Sequence, residues 1–384
     1  MGNVFDDESF KRNLGLLIQG VEKCLPAATT IRATAALNYA VHPADQMFTH
    51  SLSAHGDVGA AVSQYFSVGL QQFRCFEHIV ATALSNDGAI SVLDFACGFG
   101  RSLRFMVDVL PTARITASEI QPEALEFVAK AFHVPTLASH ADPALFSVDK
   151  QFDLIWVASL FTHLPEPLFS RWLEKLYSLL SPRGVLCFSA RDASLLSAAE
   201  KMPDRGFLYQ HVSENSGLSV QIYGTTYVTE QYVSAALRTA IGPNACFCRL
   251  PRALAMEQDL YCVAQGQRNL DAVLKFERGC WGWVDIRTLS ASGTLHVEGW
   301  AGSMLHGPAE RVEITVDGQT YQTSPCIKRA DVVEVFEEKD LLACGWRFQQ
   351  HLDPARKQIE LLVTAHGGGN SALLYAGVVE AAHA

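Results

Sequence analysis

The spacing of hydrophobic residues divides the chain into three stretches. Up to about residue 88, apolar residues recur at helical spacing, as Phe73, Phe76 and Val80 do. From about 89 to 266, short apolar runs alternate with amphipathic helices, which is the pattern of a parallel sheet covered by helices on both faces. Beyond that point helical spacing stops, and strand-like alternation of apolar and polar residues replaces it.

These patterns predict the elements of an α/β protein with an added β-domain. Seven strands are expected in the middle stretch, at 90–95, 114–118, 136–138, 153–158, 185–189, 246–250 and 260–263. Helices are expected between them at about 101–110, 122–132, 166–180 and 229–240, with prolines near their ends. In the last stretch, Asp317-Gly318 between two alternating runs predicts a β-hairpin, and the further runs predict an all-β sandwich. The predicted domains are a helical cap at 1–88, an α/β domain at 89–267 and a β-sandwich at 268–384.

Composition and charge narrow the classes of partner. The 384 residues are 49% hydrophobic and 18% charged, as in ordinary globular proteins, and this length favours two domains. With 30 basic and 40 acidic residues the net charge is -10, and no stretch is strongly basic, which argues against a nucleic-acid partner. The acidic N-terminus is not followed by an apolar segment, and no run of eighteen apolar residues occurs, so we expect neither a secretory signal nor a membrane span.

The cysteines indicate a reducing compartment. The ten cysteines are scattered, and several of them, such as Cys187 and Cys262, lie inside apolar runs. Buried, reduced thiols fit this pattern better than a disulfide framework does, so a cytoplasmic location is expected. Cys246 and Cys248 have no second Cys or His pair at zinc-finger spacing, and we expect no metal site.

A loop with two glycines follows the first predicted strand. The segment 92–101 reads Val-Leu-Asp-Phe-Ala-Cys-Gly-Phe-Gly-Arg. Gly98 and Gly100 allow a sharp turn and a close approach of a ligand to the main chain, and the helix that follows offers free N–H groups. One alternative is a nicotinamide dinucleotide fingerprint, but Leu103 stands where that motif needs its third glycine. Asp94, an acid just before the turn, instead suits a cofactor with a cationic end that carries an amino group and a sulfonium.

A second acid ends the next predicted strand. Glu119 comes 19 residues after Gly100. In a βαβ unit this position lies beside the first strand, where a carboxylate can accept hydrogen bonds from both ribose hydroxyls. The alternative is that Glu119 only caps the helix that begins near Pro122. The preceding glycine loop favours the ribose role.

Several segments, taken in order, resemble class I S-adenosylmethionine-dependent methyltransferases, above all bacterial members that modify small molecules or sugars. The resemblance covers about residues 60 to 265. The segments that carry it are Tyr65–Gly69, 92–101, Glu119, 152–156, 159–164 and 180–186. It implies a Rossmann-like, seven-stranded methyltransferase domain, with S-adenosyl-L-methionine as the cofactor and a small molecule or glycan precursor as the substrate.

The same resemblance implies the residues that hold the cofactor. They are Tyr65 and Gly69 closing over it, Asp94, Ala96, Gly98 and Gly100 at the methionine part, Glu119 and Gln121 at the ribose, Ser139, His140 and Asp142 at the adenine, and Ser159 on the sulfonium side, with Cys97 and Ile120 also counted as cofactor-binding.

On the acceptor side, His163 is the candidate general base. It follows the strand that faces the transferred methyl group, in a loop where ligands collect in such sheets. The alternative is that His163 packs against the helix at 166–180 and hydrogen-bonds the backbone. The candidates for binding the acceptor are Arg191, Tyr209, His211 and Tyr223, and plain core packing is the alternative for the aromatic ones.

The last stretch resembles an accessory β-sandwich that is attached to bacterial glycan-modifying enzymes. The resemblance rests on Gly282-Trp283, Gly299-Trp300, Gly345-Trp346 and neighbouring segments. Together with the methyltransferase resemblance it implies O-methylation of a sugar or polysaccharide precursor. The tryptophans either stack on sugars or fill the sandwich core, and the second interpretation is favoured. A non-catalytic binding protein with a vestigial cofactor site is the alternative from another class, and a homo-oligomer is left open.

Overall fold

The computed structural model of the chain describes residues 8–25, 37–84, 90–197, 199–213, 215 and 217–382. The chain forms two compact units, one of residues 1–67 with 277–384 and one of residues 68–276. This division differs from the predicted boundaries, because the described helices before residue 68 share a unit with the C-terminal strands. Among the described helices, none is long and apolar enough to cross a membrane.

The unit of residues 68–276 is built on a mixed sheet. Its described residues form nine strands: β1 Val92–Phe95, β2 Ile115–Glu119, β3 Thr136–Ala138, β4 Phe152–Val157, β5 Leu180–Asp192, β6 Phe207–Gln210, β7 Thr225–Val228, β8 Phe247–Leu254 and β9 Gln258–Ala264. The neighbours in order are β3, β2, β1, β4, β5, β9 and β8. Pairing is parallel from β3 to β5, and β9 is antiparallel to both of its neighbours. The β6–β7 hairpin pairs with the end of β5 through β7.

All seven predicted strands lie in this sheet, but the predicted count of seven is too low. The two additional strands form the β6–β7 hairpin. Each has only four residues, and most of them are half-buried. Strands this short and this mixed in polarity give no clear periodic signal.

Helices cover both faces of the sheet. They are α4 Leu103–Val109, α5 Pro122–Phe132, α6 Glu166–Ser178, α7 Glu230–Ile241 and residues 68–83 of α3 Val58–Ala83. In α6 the buried residues are Phe169, Trp172, Leu173 and Leu176, which is the spacing of one helix face. Each of these side chains contributes on the order of 1.5–3 kcal/mol when fully buried. β4 is buried along its whole length, as expected for a central strand between two helical layers.

The other unit holds two antiparallel sheets, α1 Glu8–Cys24, α2 Gln46–His55, α8 Ala330–Phe336 and the start of α3. Its described strands form two four-stranded sheets: β10 Trp281–Leu289, β11 Thr294–Ser303, β12 Gly307–Pro308 and β15 Gly345–His351 in one, and β13 Arg311–Val316, β14 Gln319–Thr323, β16 Gln358–Gly367 and β17 Asn370–Glu380 in the other. The sheets share one apolar core. As predicted, Asp317-Gly318 makes the β13–β14 turn, with positive φ at both residues. Trp346 is 1% exposed in this core.

The N-terminal helices of this unit pack on its second sheet. A Cβ at Gly20 would come within 2.7 Å of the Leu373 side chain, so glycine lets α1 lie close to β17 without displacing that side chain. Ser63 Oγ accepts a hydrogen bond of 2.7 Å from the N–H of Ala376, and Asn13 Oδ1 accepts one from β17 as well. The sequence analysis predicted a separate helical cap at 1–88. In the structure, the described helices before residue 68 instead belong to the unit that holds the β-sandwich strands.

Candidate functional site

Three parallel strands end at one edge of the sheet, and their loops carry most of the predicted cofactor residues. Asp94 in β1 lies opposite Ala117 in β2 and Trp156 in β4. Because the carboxyl ends of parallel strands meet at the same edge, the loop after β1, the end of β2 and the loop after β4 are neighbours. The predicted position of Glu119 beside the first strand is therefore observed, and the contact of these residues with a cofactor stays a prediction.

The loop after β1 has an unusual backbone. Ala96, Gly98 and Gly100 all have positive φ, of 58°, 54° and 78°. A Cβ at Gly100 would lie 2.5 Å from the ring of Phe132, so this position requires glycine, whereas no described atom lies within 4 Å of a Cβ placed on Gly98. The loop thus leaves open space beside its main chain. Positive φ at an alanine costs on the order of 1–3 kcal/mol, and such strain is typical of functional sites.

Asp94 is the most unusual ionisable group at this edge. It is 2% exposed, and its Oδ2 has no hydrogen-bond partner among the described residues. Burial, reinforced by the negative charge of Glu119, raises the pKa of the Asp94 carboxyl to about 7. A buried carboxylate without a partner is costly, and a cationic group placed against it would remove that cost.

Glu119 is bound by the backbone around it. Its Oε2 accepts a hydrogen bond of 2.9 Å from the N–H of Gly98, and its Oε1 accepts from the N–H groups of Ile120 and Gln121 at 2.7 and 3.1 Å. Burial raises the pKa of Glu119, and these three donors act against that shift. The side chain thus joins the glycine loop to the two residues that precede α5, and among the described residues no hydrogen bond from the first turn of α5 to Glu119 supports the capping alternative. Each carboxylate oxygen can accept more than one hydrogen bond, so the ribose role stays a prediction.

The predicted adenine-side residues make local contacts after β3. The N–H of Ser139 donates to Glu119 O at 2.9 Å. Asp142 caps a short 3₁₀ turn and forms an ion pair with Arg171, and its own N–H donates to His140 Nδ1 at 2.9 Å. His140 is exposed. The structure brings these residues together, and their contact with adenine stays a prediction.

Ser159 lies just after β4 and also has a positive φ, of 71°. Its N–H donates to Ser189 Oγ at 2.7 Å, and its Oγ donates to Gln258 Oε1 at 3.1 Å. Ser189 Oγ donates to the same amide oxygen at 2.7 Å. Sequence reasoning missed Gln258, because it lies 99 residues after Ser159 and reaches this edge only through the antiparallel direction of β9.

Gly69 and Tyr65 fall in different units although both lie in α3. A Cβ at Gly69 would come within 2.6 Å of Arg101 O, so glycine lets α3 lie directly against the loop after β1. Tyr65 belongs to the sandwich unit, where it is 1% exposed and its hydroxyl donates to Asp45 Oδ2 at 2.6 Å. Closure of either residue over a cofactor stays a prediction.

His163 is buried beside the β6–β7 hairpin. It is 2% exposed, its Nδ1 lies 2.6 Å from Gly224 O, and its ring stacks on Tyr223 with 4.3 Å between centroids. Because a carbonyl oxygen can only accept, Nδ1 carries the proton and the basic lone pair of the neutral ring is on Nε2. The backbone contact of the alternative interpretation is present, although it is made to the hairpin, and the general-base role stays a prediction.

The remaining acceptor-side candidates lie in or beside the same hairpin. Tyr209 Oη donates to Val220 O at 2.7 Å, and His211 Nδ1 contacts the same oxygen at 3.2 Å. Burial raises the pKa of Tyr209. Arg191, at the end of β5, is half-buried and its Nη1 donates to Thr162 O at 3.4 Å. The structure thus groups His163 with Tyr223 and Tyr209 with His211, and substrate contact is untested for all of them.

Comparison with known proteins finds a match to the stretch that contains this edge of the sheet. Residues 93–186 match the family model of a methyltransferase domain. The match confirms the predicted methyltransferase domain for the stretch from β1 into β5. Trans-aconitate 2-methyltransferases of Escherichia coli O1:K1 and O17:K52:H18 are 29% and 30% identical over 152 residues, or 35% of this chain and 59% of theirs. The chain thus spans less than two thirds of these relatives. A solved DhpI–SAH complex is 14% identical, covers 58% of this chain and 97% of that chain, and gives a TM-score of 0.39.

Proposed function

We propose that this protein is an S-adenosylmethionine-dependent methyltransferase that acts on an oxygen atom of a small molecule. The observation that carries the proposal is the buried, unpartnered carboxylate of Asp94 beside the glycine loop, inside the stretch that matches a methyltransferase domain. The amino group of this cofactor would supply the missing partner. A nicotinamide dinucleotide would instead bring phosphates close to Asp94 and Glu119, where like charges repel.

The residues at the strand edge fit the parts of this cofactor. The open space beside Gly98 admits a ligand against the main chain, and the carboxylate of Glu119 can accept from ribose hydroxyls. When bound, S-adenosylmethionine supplies a methyl group on a sulfonium, which is already activated. The task left to the protein is to hold an acceptor oxygen in line with that methyl group, which can account for ~7–11 kcal/mol of barrier lowering.

Removal of the acceptor proton is assigned to His163. The hydrogen bond from Nδ1 to Gly224 O fixes the ring, so that Nε2 is its basic atom. A hydroxyl acceptor must lose its proton as the new bond forms, and a positioned base contributes typically 10²–10⁴-fold to such a step.

Two classes of acceptor follow from different observations. The resemblance of the last stretch to sandwiches of glycan-modifying enzymes supports a hydroxyl of a sugar or polysaccharide precursor. A carboxylate is the second class. It is supported by the half-buried cation Arg191 near His163 and by the names of the trans-aconitate 2-methyltransferases. A carboxylate is already deprotonated at neutral pH and would not need His163 as a base.

One experiment tests both the transfer and the acceptor class. The full chain is incubated with S-adenosylmethionine carrying a ¹³C-methyl group and with panels of nucleotide sugars and of di- and tricarboxylic acids. We expect the label to appear in a product, and mild alkali distinguishes the classes because methyl esters are hydrolysed whereas methyl ethers survive. Calorimetry that shows binding of a nicotinamide dinucleotide, but of neither S-adenosylmethionine nor S-adenosylhomocysteine, would overturn the proposal.

A further inference from the structure

A groove follows the outer edge of the sheet in the unit of residues 68–276. It is lined by the edge strand β8, by Glu230 and by the segment 267–274 that follows β9. In the sheet, β8 is four strands away from β1. At ~4.8 Å per strand, the groove is roughly 19 Å from the glycine loop. It is therefore a separate place on the molecule.

Arg268 is one of the residues that line this groove, and its guanidinium has two donors without a partner in the described part of the chain. Its Nε and Nη2 are buried, and neither has a hydrogen-bond partner among the described residues. These two atoms form the side of the guanidinium that binds the two oxygens of a carboxylate or phosphate in parallel. Burial lowers the pKa of Arg268, and no acidic side chain opposes this shift. A guanidinium nevertheless keeps its charge at neutral pH, so these donors require an anionic acceptor.

The other charged groups of the groove already have partners. Arg249 pairs with Asp259, Glu230 and Asp192 at 2.6, 2.8 and 2.9 Å. Asp271 accepts a hydrogen bond of 2.8 Å from the side chain of Asn269. Within the described part of the lining, Arg268 is therefore the cation that lacks an acidic partner.

The segment that carries Arg268 is held firmly on both sides. Leu270 and Val273 are buried, at 6% and 0% exposure. Phe276 lies 5.2 Å from the ring of His78 in α3, and the N–H of Gly266 donates to Tyr177 Oη. The segment that carries the guanidinium is thus anchored on both sides of Arg268.

We propose that this groove binds a small molecule that carries a carboxylate or a phosphate group. The side chain of Arg268 turns its buried Nε and Nη2 toward the groove when the molecule binds, and two oxygens of the anionic group pair with them. The rest of the molecule lies along Phe247 and Leu274, which give the lining an apolar part. Leu274 is 51% exposed, so an apolar group can reach it. This binding does not depend on methyl transfer, because none of these residues lies at the sheet edge that carries the predicted cofactor residues.

The test is a calorimetric titration of the full chain with inorganic phosphate, phenyl phosphate and benzoate. Arg268→Gln removes the charge and the paired donors. Lys275→Gln is the matched control, because it removes one positive charge from an exposed position of the same segment. We expect at least one probe to bind the wild type and the control equally well, and Arg268→Gln to weaken its binding roughly 10- to 150-fold.

The choice of probe and a second variant make the outcome decisive. Tighter binding of phenyl phosphate identifies a phosphate ligand, and tighter binding of benzoate identifies a carboxylate. Arg268→Lys keeps the charge but cannot offer two parallel donors, so it should also bind more weakly, and it replaces Arg268→Gln if that variant does not fold. Failure of all three probes to bind, or equal affinities of the wild type and folded Arg268 variants, would overturn the proposal.

Discussion

Replacing Asp94 with Asn should change stability and ligand binding in opposite directions. The side chain keeps its size but loses a charge that is buried at 2% exposure. Folding raises the pKa of this carboxyl from 3.8 to about 7, so the folded state holds the proton more tightly than the unfolded state does. The contribution of Asp94 to stability therefore falls as the pH rises from about 4 to about 7. At pH 8 the ligand-free Asp94→Asn variant should unfold at a higher temperature than the wild type.

The same substitution should weaken binding of S-adenosylhomocysteine, the form of the cofactor that remains after methyl transfer. A hydrogen bond between charged groups contributes about 1.5–3 kcal/mol, so Asp94→Asn should weaken binding of S-adenosylhomocysteine roughly 10- to 150-fold. In the wild type, affinity should rise with pH up to about 7, because ionised Asp94 is the form that attracts an ammonium group. In the variant this rise should be absent.

The assay combines calorimetry with S-adenosylhomocysteine between about pH 5.5 and 8.5 with thermal unfolding of the ligand-free proteins. Asp149→Asn is the matched control, because it removes one negative charge from an exposed position of the same unit and should change neither quantity. If the folded Asp94→Asn variant binds within twofold of the wild type at every pH, Asp94 does not face a cation and the reasoning fails.

Three further predictions follow from the contacts of named residues. Glu119→Ala removes the acceptor of three backbone N–H groups. It should therefore weaken S-adenosylhomocysteine binding in calorimetry and lower the unfolding temperature. If neither quantity changes, Glu119 neither binds the ribose nor stabilises the glycine loop. His163→Ala should lower turnover of a hydroxyl acceptor roughly 10²–10⁴-fold and abolish the acidic limb of the pH–rate profile at unchanged cofactor affinity. If the turnover of the variant stays within a few-fold of that of the wild type, His163 is not the general base and its role is limited to the hydrogen bond with Gly224. A chain that ends after Gln267 lacks β16 and β17, on which α1 packs, and should be insoluble; a soluble monomer in size-exclusion chromatography would show that the N-terminal helices do not need those strands.

Hydrophobic periodicity alone predicted the strands and helices that form the sheet edge with the predicted cofactor residues. β1, β4 and β5 are apolar runs because helices cover both faces of the sheet, and α6 shows its buried face at helical spacing. Gly100 could be singled out because the backbone there has positive φ and the ring of Phe132 leaves no room for a side chain. Where a residue type follows from backbone geometry, the sequence alone predicts it.

Contacts between distant segments could not be predicted in this way. The apolar face of α1 indicates a helix, but nothing near it in the sequence shows that β16 and β17 cover that face. Gln258 is likewise distant from Ser159 along the chain. The β6–β7 hairpin was missed for a local reason, since its strands are short and half-exposed. Long-range pairing depends on the whole arrangement of elements, which periodicity does not contain.

The position of β9 has a consequence for how the protein is synthesised. β9 pairs with β5 on one side and β8 on the other, yet it comes after both in the chain. On the ribosome, most of the edge of β5 stays unpaired while the roughly 65 residues between β5 and β9 are made, which takes about 3–13 s at ~5–20 residues per second. During that time Ser159 and Ser189 also lack their shared acceptor, Gln258. An unpaired apolar strand invites pairing with other chains, so this interval is when the nascent protein is most exposed to aggregation and most dependent on chaperones.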